Sequence, residues 1–90
     1  MDDLLVWLRA QLAEDERDWL PTATGARQNG KTTARRMLAE VDAKRRILEL
    51  YDVSTSRELK PDAWELMKHA VRALALPYAD RPGYRDEWRP

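Results

Sequence analysis

The chain has no cysteine, no phenylalanine, a single histidine, three glycines and no excess charge of either sign. Without cysteine there is neither a disulfide framework nor a thiolate nucleophile. With His69 alone, a structural zinc site lacks its usual nitrogen and sulfur donors. Sixteen Lys and Arg balance sixteen Asp and Glu, which excludes binding to a polyanion by bulk charge and leaves only a local basic patch. No run approaches the roughly 20 consecutive apolar residues of a membrane span. The opening Met1-Asp2-Asp3 is acidic where a secretion signal would be basic. A soluble, cytoplasmic protein is therefore expected, and the missing cysteines fit a reducing compartment. Its 90 residues make one domain, 1–90, with a core small enough to be helped by a partner subunit.

What is present is helical spacing. Leu4, Leu5, Leu8, Leu12 and Trp19 recur at steps of three, four and seven, which predicts an amphipathic helix near 3–19. Asp2 and Asp3 suit its N-terminus, where unpaired N–H groups favour negative charge. Pro21 should end it, because the residue before a proline is pushed out of the helical region. A second helix, near 33–51, carries Ala34, Met37, Leu38, Val41, Leu48 and Tyr51. Pro61 suits the first position of a third helix, near 61–76, since its missing N–H would be unpaired there anyway. The expected inner stripe of this helix is Trp64, Met67, Ala70, Val71 and Leu74. As a core residue Trp64 should cost about 3–5 kcal/mol on truncation to alanine. No stretch shows the alternation of a strand. The expected fold is all-α, a small three-helix domain with an irregular, aromatic C-terminal tail, 77–90.

Charge is distributed unevenly. Residues 1–19 carry a net −4, residues 20–46 a net +5 and residues 47–90 a net −1. The plain expectation is an acidic first helix lying beside a basic second one. The basic residues of that second segment, Arg27, Lys31, Arg35, Arg36, Lys44, Arg45 and Arg46, could instead form a stripe for nucleic acid. Glu40 and Asp42 interrupt it, so a solvated helix face is the simpler reading.

Three constellations could carry chemistry. Gly25 to Thr32 fits the phosphate-loop pattern, in which Gly25 and Gly30 would let the backbone wrap phosphates. Lys31 would reach the terminal phosphates and Thr32 would hold Mg²⁺. The pattern should follow a buried β-strand, and a helix end precedes it here. A glycine-containing loop before a helix explains the same residues. Asp15 with Asp18, and Glu49 with Asp52, place carboxylates one turn apart, as all-α nucleotide pyrophosphohydrolases do to hold Mg²⁺. Charged helix faces produce such spacings often. His69 has no second histidine or cysteine to complete a triad or ligand set. No catalytic residue, metal or cofactor is assigned from these features.

The tail is the most distinctive segment. Tyr78, Tyr84 and Trp88 are large rings with polar tips, accompanied by Arg85 and Arg89. Tyr, Trp and Arg dominate protein interfaces, so these five residues are a candidate interaction surface. The alternative is intramolecular: the tail folds back and covers the open face of the helices.

Three blocks bear a resemblance to a family. Residues 1–16 (MDDLLVWLRAQLAEDE), 38–50 (LAEVDAKRRILEL) and 74–90 (LALPYADRPGYRDEWRP) resemble small proteins of unknown function from actinobacteria and their phages. The resemblance implies a common architecture and no activity, since the family has no assigned functional residues to carry over. The expected function is a small non-enzymatic protein-interaction module with a protein partner. Nucleotide binding or pyrophosphohydrolysis is the first alternative and nucleic-acid binding the second. Trp7 and Ile47 lie beside the apolar stripes rather than in them. The uncovered strip predicts a homodimer with the first or second helix at its interface.

Overall fold

The computed structural model describes residues 2–25, 29–56 and 60–90. Among them are three α-helices, α1 (Asp3–Thr24), α2 (Lys31–Ser56) and α3 (Pro61–Ala75), and no strand. Single 3₁₀ turns follow at Leu76–Tyr78 and Asp86–Trp88. The fold is all-α, as the helical spacing predicts. No helix among the described residues is long and apolar enough to cross a membrane.

α1 starts where its charge pattern predicts. Asp2 caps it, its Oδ1 accepting the Leu4 N–H at 2.9 Å, which satisfies one of the unpaired donors of the first turn. Pro21 does not end the helix as expected; α1 continues to Thr24. The proline rule is a local steric preference, and here one further turn continues past it. Ala23, beyond the proline, is buried, and the Thr24 hydroxyl donates to the Leu20 carbonyl at 2.8 Å. Gly30 then turns the chain with a φ of +76°, a left-handed conformation that suits glycine. Its carbonyl accepts the Ala34 N–H at 2.8 Å as α2 begins.

α1 and α2 form the main interface, and α3 packs on α2 more lightly. The core is Leu4, Leu5, Leu8 and Leu12 from α1, Val41, Leu48 and Tyr51 from α2, and Val71 and Ala75 from α3. Burial of such side chains contributes about 1.5–3 kcal/mol each. Arg45 with Glu16, and Arg9 with Asp52 at 3.4 Å, are ion pairs joining the basic helix to the acidic one.

α3 differs from its expected stripe. Met67 and Leu74 pack against the core, but Ala70 is exposed and Trp64 is only half-buried. The Lys68 ammonium stands over the Trp64 ring, 4.4 Å from its centroid. α3 meets the core through its second half, so its first turns, Trp64 included, lie at the rim. The expectation that Trp64 is a core anchor is corrected accordingly.

The tail supplies the missing anchors. Tyr78 and Trp88 are 5% and 7% exposed and belong to the core. Trp7, Tyr84 and Trp88 pack as a triangle with ring centroids 5.5–5.7 Å apart, in the range that favours edge-to-face pairs. The Trp7 indole N–H donates to the Pro82 carbonyl at 3.0 Å. Gly83 lies against the same indole with a φ of +91°, and a Cβ there would come within 2.6 Å of Trp7 Nε1. Trp7, left beside the stripe by its spacing, is thus covered by the tail.

Candidate functional site: a buried polar lock and an open helix face

Asp15 is the buried acid of the molecule's polar centre. Its position continues the α1 stripe one heptad after Leu8, which places a carboxylate on an apolar face. Burying it unpaired would cost several kcal/mol, and the tail supplies the partners. The Arg81 guanidinium donates to Asp15 Oδ1 at 2.7 Å and to Gln11 Oε1 at 3.3 Å. The Tyr78 hydroxyl donates to Asp15 Oδ2 at 3.0 Å and accepts from Lys44 Nζ at 3.1 Å. Arg81 also lies over the Tyr78 ring, 4.6 Å from its centroid. α1, α2 and the tail therefore share one closed network.

Electrostatics follow from this packing. Burial, reinforced by the hydrogen bond to Asp15, holds the Tyr78 hydroxyl above its ordinary pKa, and the Lys44 ammonium opposes that rise. The hydrogen bond to Asp15 raises Arg81 further. Tyr51 is raised chiefly by burial and next by its hydrogen bond to Asp2, the residue that also caps α1. Each hydroxyl is kept protonated and tied to a carboxylate. Both Asp15 oxygens are taken by protein donors, so this arrangement is a lock between segments rather than a reactive centre.

The residues singled out in the sequence are placed as follows. Asp15 faces the lock, Asp52 pairs with Arg9, and Asp18 borders an open groove beside Arg81. Among the described residues, no group of three or more His, Cys, Asp or Glu side chains could hold a metal ion. The phosphate-loop pattern falls partly outside the described residues, at 26–28. What is described is a different use of its lysine: Lys31 Nζ, at the start of α2, donates to the Gly25 carbonyl at the end of α1 at 2.9 Å. α1, not a strand, precedes it. Among the described residues of the basic stripe, Arg36 pairs with Glu40, Arg46 with Asp42, Arg45 with Glu16 and Lys44 with the Tyr78 hydroxyl.

The tail surface is corrected in part. Tyr78 and Trp88 are turned inward and Tyr84 is half-buried, so their faces are not open to a partner. Arg85 and Arg89 remain exposed, their guanidinium groups over the Trp88 and Tyr84 rings at 5.2 and 5.6 Å. Arg85 also pairs with Asp3 at 3.1 Å.

Open apolar surface lies elsewhere: Val6 and Leu20 on α1 and Leu50 on α2 are exposed, and α3 carries the most exposed side chain of this group. On α3, Leu66 is 72% exposed, and Leu76, just beyond the helix end, is 41% exposed. Ala63, Ala70 and Ala73 are exposed as well. Residues 63, 66, 70 and 73 repeat at steps of three and four, so they share one face, adjacent to the half-buried Met67 and Leu74. Spacing could have shown this second stripe, but alanine reads equally well as a helix former on a solvated face.

No curated protein and no solved structure matches the chain. A family profile covers residues 1–90. The chain belongs to the family described as a family of unknown function, DUF6221.

Proposed function

We propose that the protein is a small non-enzymatic interaction module whose docking element is the outer face of α3. The observation that carries this reading is the strip of Ala63, Leu66, Ala70 and Ala73, left exposed on a chain that buries its aromatic tail. A leucine flanked by small residues suits a partner helix, because alanines let the axes approach closely. The module works in the cytoplasm, a placement supported by the absence of cysteine. The three sequence blocks named above support an origin in actinobacteria or their phages. Asp15, Tyr78 and Arg81 serve this function indirectly, by fixing the tail and so the scaffold that presents α3.

The test is in-cell photo-crosslinking. A photoreactive residue at Ala70 should yield a protein adduct that Leu66→Lys abolishes. The same probe at Ala39, exposed on α2, should yield none. No adduct at Ala70, or one that survives Leu66→Lys, would overturn the assignment.

A further inference from the structure

We infer that the cleft between α3 and the start of α1 binds a phosphate group, held by Arg72 and Lys68. The cleft has a volume of about 220 Å³, and Leu4, Tyr51 and Trp88 line it beside the two cations. It lies on the side of α3 opposite Leu66, apart from the docking face. Pockets for drug-sized ligands run to roughly 300–1,000 Å³, so this one suits a small anion.

Arg72 is the anomaly that points to a ligand. Among the described residues it is the one half-buried Arg or Lys with neither a hydrogen bond nor an ion pair. Lys31, Lys44, Arg45 and Arg81, equally half-buried, each donate to an oxygen. Lys68 lies one turn before Arg72, and the acid nearest to it is Glu65 at 3.9 Å, beyond hydrogen-bond reach. Like charges at this spacing are about 5–6 Å apart and repel. An anion between them relieves a cost that the fold otherwise carries. The two acids that line the same cleft are already engaged. Asp2 accepts from the Leu4 N–H and the Tyr51 hydroxyl, and Glu87 pairs with Arg85 at 3.5 Å. The Arg72 charge acts instead on the Tyr51 hydroxyl, opposing the burial that raises its pKa.

The pair favours phosphate over carboxylate. A guanidinium meets two phosphate oxygens as a fork, and an ammonium adds a point charge. A phosphate monoester carries about −1.5 to −2 charge at neutral pH, which balances both cations and leaves an oxygen for each. A carboxylate balances only one.

The test is a titration of isotope-labelled protein at neutral pH and constant ionic strength, so that screening does not change. It is read by NMR at the arginine Nε–H and tryptophan indole N–H signals. Inorganic phosphate and phenyl phosphate are the probes, and acetate is the comparison. The expected result is a saturable shift of the Arg72 and Trp88 signals with both phosphates. Affinity should fall by about tenfold or more in Arg72→Gln, the loss of a charge-assisted contact. It should be unchanged in Arg46→Gln, which removes an exposed cation of α2. Lys68→Gln repeats the test if Arg72→Gln fails to fold. Tighter binding of phenyl phosphate assigns a phosphomonoester, and equal or weaker binding assigns the free ion; either supports the site. Shifts that do not saturate, acetate binding as tightly as phosphate, or unchanged affinity in the folded variant would overturn the proposal.

Discussion

The side of the molecule closed by the tail and the outer side of α3 both carry apolar side chains and treat them in opposite ways. On the first, every large ring finds a neighbour: Trp7, Tyr84 and Trp88 pack edge to face, and Asp15 receives both Tyr78 and Arg81. On the second, Leu66, Ala63, Ala70 and Ala73 are exposed. The tail reaches across α1 to cover a tryptophan yet leaves a leucine strip open on α3. Stability is therefore concentrated where α1, α2 and the tail meet, and the most lightly attached helix carries the most exposed large apolar side chain among the described residues, Leu66. A small core that exposes a strip there loses little by it.

The sharpest way to break this comparison is to truncate one tryptophan from each region. Trp88→Ala should cost about 3–5 kcal/mol by chemical denaturation, as a buried aromatic does. Trp64→Ala, at the rim under Lys68, should cost only about 1 kcal/mol. Equal losses would erase the distinction. Next in size is the lock: Asp15→Ala leaves Tyr78 and Arg81 without their acceptor and should cost about 2–3 kcal/mol in the same assay.

A smaller effect comes from alkaline pH. Tyr51 and Tyr78 are both raised above their ordinary value of 10.0, mainly by burial. Above that pH the unfolded chain releases phenolic protons that the fold retains, so the unfolded state binds fewer protons and stability falls. The contribution is complete below about pH 10 and is lost as pH rises toward the folded values, by up to about 1.4 kcal/mol per pH unit for each tyrosine. Denaturation between pH 9 and 11 should show this slope, and Tyr78→Phe should flatten it. The smallest expected change is Leu66→Lys, within about 0.5 kcal/mol of the parent. A loss of 2 kcal/mol there would mean that Leu66 supports the core.

Much of the architecture was legible because it rests on periodicity. Leu4, Leu8, Leu12, Val41, Leu48 and Val71 are buried where their spacing predicts. Most of the failures share a cause: they turn on packing that local spacing does not show. Pro21 obeys a local rule until Ala23 finds a buried place. Trp64 lies on the right stripe of α3, but spacing cannot tell which half of a helix its neighbour reaches. Asp15 on an apolar face was a visible anomaly whose partners, Tyr78 and Arg81, lie more than sixty residues away. The tail's rings were visible as a cluster, and only packing decides that they turn inward. The exposed strip of α3 was hardest to see, since three of its four residues are alanines.

Native-state hydrogen exchange at low micromolar concentration tests the central claim most directly, because it reads the free energy of opening segment by segment. The account predicts slow exchange, at the level of global unfolding, for α1 amides around Leu8 and α2 amides around Leu48, with α3 amides from Trp64 to Ala70 opening more readily. Protection of α3 equal to that of α1 and α2 would show one uniformly tight core and contradict it.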